Sequence, residues 1–271
     1  MANSFKELES GRDSVVTRNL LHEAIPITGS IVSGTYSDLN IKNFSHGMFQ
    51  SVYDYPFLSS SANHIFDLTC GYAATSSLNT VGSAQNTKKL NIYNQMAQVL
   101  VGFDAAGSIR QFDEDGDFSI GNKIEEAYFV NFSRLLVKDE IKKGSFTLTL
   151  GAGSTYISPW AGTVELKDKD GINGYKVNSP AGDYGILYAT GSSLDPSAVD
   201  SEGYAPAGLL YYQAGIAVLS ASVFGSLLAT PVEFNASGDP VETVLSGTVI
   251  SGNCDDFRHR TQNIAFNNTV E

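Results

Sequence analysis

The sequence is short of charge, and of positive charge above all. Asp, Glu, Lys and Arg make up only 17% of its 271 residues, against about 25% in an ordinary soluble domain. Seventeen Lys and Arg face 29 Asp and Glu, a formal net charge of −12. Duplex binding neutralises phosphates with a basic surface that these totals do not provide, so nucleic acid is not expected as a partner. Cysteine is nearly absent. Cys70 and Cys254 stand 184 positions apart without CxxC spacing, which excludes a disulfide-dense secreted scaffold and a structural zinc site and leaves two buried free thiols. Long apolar runs are missing too. The most membrane-like stretch, Ala214 to Thr230, is broken by Ser220, Ser222, Gly225 and Ser226, whereas a span takes about 20 mostly apolar residues. It reads as buried core, and no membrane partner is expected. Met1 to Arg18 holds Lys6, Glu7, Glu9, Arg12 and Asp13 where a secretory signal would be apolar, so cytoplasm-like conditions are the default.

Polarity is carried instead by uncharged groups. Ser, Thr and Asn number 66, and Phe and Tyr number 28. The chain is long enough to bury a core without disulfides or metal.

The pattern predicts an N-terminal region, residues 1–61, and a mainly β domain, residues 62–271. Phe5 to Ala24 suits a short helix or docking arm ending at Pro26. Ile27 to Ser61 mixes turn residues with Tyr36, Phe44, Phe49, Tyr53, Tyr55 and Phe57, which suggests an irregular, aromatic-rich arm. Alternation of Phe66, Leu68, Cys70 and Tyr72 with their neighbours predicts a strand. Leu90, Tyr93, Ala97, Leu100 and Val101 recur at helical spacing, with Lys88, Lys89, Asn91, Gln95 and Gln98 elsewhere and Gly102 or Gly107 as a stop. Ile124 to Val137 fits helix and strand equally. Past Gly144 the pattern is β: Phe146, Leu148 and Leu150; Val164 and Leu166; a turn at Asp170 and Gly171, then Tyr175 and Val177; Tyr184, Ile186 and Tyr188. Asp195 to Pro206 reads as loop, and Leu209–Tyr212 with Ile216–Leu219 as a hairpin. Together these predict an α+β fold dominated by antiparallel sheets, a β sandwich or barrel-like arrangement with one or two helices and an extended N-terminal arm. The last residues read as a strand that breaks off mid-pattern, as though the chain continued beyond 271. There is no internal repeat.

Motifs that could carry chemistry fail their own tests. Asp113, Glu114, Asp115, Gly116 and Asp117 resemble a calcium loop, but with Gly116 as the invariant glycine, Gln111 and Asn122 fall on the end ligand positions, which favours a solvated turn. Lys167 to Gly171 fails likewise, with Leu166 and Val177 at those positions, and suits an Asp-Gly hairpin turn. After Gly151 and Gly153, Tyr156 replaces the third glycine of a dinucleotide loop and Pro159 hinders the helix it needs. No Gly-Lys-Ser/Thr element occurs. His22, His46, His64 and His259 show no metal spacing, and His64 and Asp67, three apart in a strand, should point to opposite faces. Arg258, His259 and Arg260 follow Asp255 and Asp256, which suggests a salt-bridged surface or subunit contact. No catalytic, cofactor-binding or metal residue is assigned.

Three runs carry a resemblance: Tyr53 to Thr69 (YDYPFLSSSANHIFDLT), Phe132 to Leu148 (FSRLLVKDEIKKGSFTL) and Gly208 to Leu219 (GLLYYQAGIAVL). Here the chain resembles virion structural proteins of marine tailed phages, especially contractile-tailed cyanophages. The resemblance implies a non-enzymatic part of the tail or baseplate, assembled in the host cytoplasm, with other virion proteins and copies of itself as partners and no cofactor. Low charge, neutral polar groups and abundant rings suit such interfaces. Two alternatives stay open: a head or neck component of the virion, and a glycan-binding or glycan-hydrolysing β domain using Trp160, the tyrosines, and Asp113 with Asp117 as acid and base.

Overall fold

A computed structural model describes residues 38–79, 84–118, 121–136, 139–153, 160–230, 245 and 249–269. The helix predicted over Phe5 to Ala24 lies outside them. In chain order the strands are β1 (Ile41–Asn43), β2 (Gln50–Tyr53), β3 (His64–Tyr72), β4 (Phe112–Asp113), β5 (Lys123–Ile124), β6 (Glu126–Asn131), β7 (Glu140–Ile141), β8 (Thr147–Ala152), β9 (Gly162–Lys167), β10 (Tyr184–Thr190), β11 (Ala205–Tyr211), β12 (Ile216–Ser220), β13 (Thr261–Ala265) and β14 (Asn268–Thr269). Helix α1 (Ala84–Leu100) follows β3, and α2 (Ile250–Arg260) precedes β13. Ten strands form one antiparallel sheet in the order β1-β2-β3-β6-β12-β11-β10-β9-β8-β13, and β7 with β14 and β4 with β5 make two small ladders. The fold is α+β and predominantly antiparallel, as the alternating segments predict.

Register explains how the two helices share this sheet. Cys70 pairs with Tyr128 and Leu68 with Val130, while Thr69 pairs with Phe129 and Asp67 with Asn131. Paired residues project to the same face, so β3 and β6 split into two sets. Tyr128 packs on Phe257 of α2, with ring centroids 5.0 Å apart, and Gln50, opposite Leu68, donates to Asp255 and the Ser251 carbonyl of α2. On the other face Phe129 meets Tyr93 of α1 at 6.3 Å. The helices therefore cover opposite faces of β3, which is why that strand is buried on both sides. The sheet also bends back on itself. Phe132, just past β6, lies 5.8 Å from Phe146 and 5.5 Å from Phe266, which flank β8 and β13 at the far end of the strand order, and the result is a sandwich-like enclosure of one core.

Helix α1 ends as its pattern predicts. Gly102 takes φ +76, and the Val101 and Gly102 N–H groups both donate to the Ala97 carbonyl. Its approach to the sheet is set by Gly71: a Cβ there would stand 2.5 Å from the Lys89 carbonyl oxygen and 2.9 Å from the Tyr93 nitrogen. Lys89, which the helical spacing assigns to the polar side, is fully buried and donates to the Leu245 carbonyl.

Several expectations change. Ile41–Asn43 and Gln50–Tyr53, within the predicted irregular arm, are strands at the sheet edge. Of the ambiguous stretch from Ile124 to Val137, Glu126–Asn131 is strand, β6, with a hydrogen-bonded strand on each edge and a helix on each face, and Ser133–Leu135 is a 3-10 turn. Tyr175 and Val177 are not in a strand: the turn closed by the Gly171 N–H on the Asp168 carbonyl opens a long connection whose β pairing is limited to a bridge between Lys176 and Tyr184. Asp168 is buried and accepts from the Gly144 and Phe146 N–H groups and the Tyr212 hydroxyl, so it ties β8 to the end of β11. Pro206 lies inside β11, opposite Tyr188 where the register shifts, a bulge that tolerates a missing N–H. Helix α2 has no counterpart in the sequence reading. Residues 214–230 contribute β12 and a short 3-10 turn to the core, and among the described residues no helix is long and apolar enough to cross a membrane.

Candidate functional site

The α1 face of the sheet holds an open cavity of about 430 Å³ between α1, β3, β6 and the 44–49 loop. Its apolar lining comes from Met48, Phe49, Ile92, Met96 and Phe129, with Asp67, Gln95 and Asn131 as polar groups. The loop is held in place by rings and backbone. Phe44 stacks on His46 at 5.3 Å and tilts against Phe49 at 4.6 Å, Thr69 donates to the Met48 carbonyl, and Lys88 of α1 donates to the His46 carbonyl.

Asp67 sits in the cavity wall and gathers two partners. His64 Nε2 lies 2.7 Å and Ser51 Oγ 2.5 Å from the same carboxylate oxygen, Oδ1. The alternation rule places His64 and Asp67 on opposite faces, and the structure overturns it. Tyr53 pairs with His64 but Val52 pairs with Phe66, so Ile65 is an extra residue and the bulge turns His64 onto the face of Asp67. Burial alone would raise the Asp67 carboxyl, but hydrogen bonds from His64 and Ser51 outweigh it and hold the group below its ordinary value. The order of groups matters for chemistry. In nucleophilic catalysis the imidazole lies between carboxylate and hydroxyl and takes the hydroxyl proton. Here the carboxylate lies between the other two, and a carboxyl held below its usual range is a weak base. The arrangement suits an anchor for a hydrogen-bond donor entering an apolar hollow.

The acidic run Asp113 to Asp117 caps the β4–β5 hairpin. Oxygens of Asp113, Asp115 and Asp117 lie within 4.8 Å of one another, close enough to converge on a hard cation. Asp115 and Asp117 are exposed, as a solvated turn predicts, but Asp113 is fully buried and already engaged. It pairs with Lys123 and accepts from the Asp115 and Gly116 N–H groups at 3.1 and 3.2 Å. Burial pushes Asp113 up, but hydrogen bonding with Asp115 and Lys123 brings it below its ordinary value, while Asp115 is raised by the same bond. A larger hollow of about 880 Å³ beside the hairpin is lined by Glu114, Glu125, Glu126, Asp195, Ser220 and Ser222, among others. Thr75 and Ser76 donate to Glu125 and Glu126, and burial raises Glu114.

The remaining candidates are structural. Arg258 and Arg260, expected at the surface, are buried in the last turn of α2. Arg258 pairs with Asp255 at 2.8 Å. Arg260 donates to the Gly151 and Gly153 carbonyls and stacks on Trp160 at 4.5 Å. The Trp160 ring lies against Gly151, whose Cβ would stand 2.5 Å from it. Among the described residues, Trp160 thus packs on Arg260 and on the Gly151 backbone. The backbone of the glycine pair already binds Arg260, and the other residues of that loop, 154–159, lie outside the described residues. His259 is partly buried in α2, and His22 lies outside the described residues. The α2 burial pattern, Ile250, Asn253, Cys254, Phe257, Arg258, has helical spacing, but polar residues at core positions hide it from a hydropathy criterion. Comparison of the chain with protein-family models, curated proteins and solved structures finds no match.

Proposed function

We propose that the chain is a non-enzymatic structural component of a tailed-bacteriophage virion, in the tail or baseplate, that works by holding neighbouring subunits in register. The observation that carries this is where large apolar side chains face outward. Leu39, Tyr55 and Leu58 are 66%, 58% and 86% exposed around the β1–β2–β3 end of the sheet. Ile172, Tyr175 and Val177 are 66%, 39% and 71% exposed on the connection between β9 and β10. Grouped exposed apolar residues on a low-charge surface mark interaction sites, and ring-bearing neutral surfaces suit buried contacts. The cavity beside α1 adds an apolar hollow with the Asp67 carboxylate in its wall, suited to a side chain from a neighbouring subunit. The resemblance of three sequence runs to virion proteins supplies the setting.

An antibody against the purified chain, applied to tailed particles and located by immunogold electron microscopy, tests the proposal. Label at the tail or baseplate is expected. Label on the head or neck moves the protein to the alternative position in the virion, and particles that carry none of the chain overturn the assembly role.

A further inference from the structure

Two thiols that the sequence separates by nearly the whole sheet meet in the core. Cys70 on β3 and Cys254 on α2 are both free and fully buried, one on each side of a single strand–helix junction. Each is also aimed across the strand–helix junction: Cys70 Sγ lies 3.9 Å from Asn253 Oδ1 and Cys254 Sγ lies 3.5 Å from the Leu68 carbonyl. The contact therefore belongs to the packing of α2 on β3, the face that also holds Tyr128 and Phe257. Burial holds the Cys254 thiol well above its ordinary value and the Lys89 ammonium opposes this only in part, so a thiolate forms when the junction opens to water.

We infer that Cys70 and Cys254 are a built-in cross-linking pair, which a hydroperoxide converts to an intrachain disulfide joining β3 to α2. One sulfur, as thiolate, attacks a peroxide oxygen. The O–O bond breaks, a sulfenic acid forms, and the departing hydroxide takes up the released proton as water. The second sulfur then attacks the sulfenic sulfur, the S–S bond forms, and a second water leaves with the remaining thiol proton. Two thiols lose two electrons, and one hydrogen peroxide becomes two waters. Because both sulfurs are buried, the reaction proceeds through openings in which α2 lifts from β3, and it is slow in the fully native chain. The product closes a loop that spans most of the sheet, which restricts the unfolded chain strongly. This inference is independent of the assembly role.

The test uses the full chain, reduced, freed of reductant and exposed to hydrogen peroxide. Exposure is repeated at urea concentrations just below the unfolding transition, where openings are more frequent. Each sample is then denatured in iodoacetamide, weighed intact and digested for peptide mapping. A loss of two hydrogen masses is expected, with both cysteines protected from alkylation, a linked Cys70–Cys254 peptide, and reversal by dithiothreitol. The cross-linked chain should melt on the order of 10 °C higher than the reduced one. Cysteines that remain alkylatable under every condition overturn the inference. So do separate sulfinic acids, or disulfides between chains in place of the internal one. Cys254→Ser treated in parallel should yield no internal cross-link, and the wild-type measurement stands whether or not that variant folds.

Discussion

Adding one methyl group at Gly71 should loosen the packing of α1 on the sheet. The new Cβ of Gly71→Ala would lie 2.5 Å from the Lys89 carbonyl oxygen, 2.9 Å from the Tyr93 nitrogen and 3.2 Å from Tyr93 Cβ. The first two are helix backbone, so no side-chain rotation relieves the clash, and α1 must move by roughly 1 Å to reach ordinary contact distance. Tyr93 moves with it. Its ring sits 5.4 Å from Phe112 and 6.3 Å from Phe129, its hydroxyl donates to the Ile124 carbonyl at 2.6 Å, and the hydroxyl oxygen in turn accepts the Phe112 N–H. Overpacking of about 1–3 kcal/mol combines with a weakened buried hydrogen bond of about 1 kcal/mol, a total near 2–4 kcal/mol. For a chain of this size that is a fall in Tm of about 5–15 °C. Gly107→Ala is the control: nothing lies within 4 Å of its Cβ, but φ is +83, so it should lose only the about 1–2 kcal/mol of a left-handed alanine. Urea unfolding followed by circular dichroism reads both. Should Gly71→Ala unfold no earlier than Gly107→Ala, the steric argument fails.

Three further outcomes are expected. Burial pushes the Asp168 carboxyl up to about 6, from an ordinary 3.8, despite its three donors. Its stabilising contribution is fully present below pH 3.8, is lost as pH rises to about 6, and amounts to about 3 kcal/mol. Asp168→Asn should remove that slope from urea midpoints measured between pH 4 and 7, and an unchanged slope would count against the assignment. Asp256, raised to about 7 by burial and then by Asp255, should give Asp256→Asn a higher urea midpoint than wild type at pH 8 and little difference at pH 4.5, unless the carboxyl titrates at its ordinary value. Arg260→Lys should lose about 2–4 kcal/mol, because an ammonium cannot reproduce the planar guanidinium that binds two carbonyls and stacks on a ring. The single tryptophan, Trp160, makes fluorescence the direct readout, and an emission maximum identical to wild type would refute the contact.

Period-two alternation from Phe66, Phe146, Val164 and Tyr184 onward, the hairpin pattern of Leu209–Tyr212 with Ile216–Leu219, and helical spacing around Tyr93 are local properties of the chain. They were therefore enough to reveal the antiparallel α+β class and helix α1 with its glycine stop. The cysteine count likewise pointed to free buried thiols. What the alternation rule could not supply is anything that depends on pairing. One extra residue, Ile65, turns His64 onto the side of Asp67 and Ser51, because face assignment in a strand shifts wherever its partner skips a residue. Helix α2 was hidden because its inward positions include Asn253, Arg258 and Arg260, polar groups that become tolerable in a core only when partnered, Arg258 by Asp255 one turn earlier in the helix and Arg260 by the Gly151 carbonyl brought in by β8. The meeting of Cys70 with Cys254 is of the same kind. Composition and periodicity determined the layers of this protein, and tertiary structure alone decided which distant groups touch, since contact is set by register and by how the sheet closes on itself.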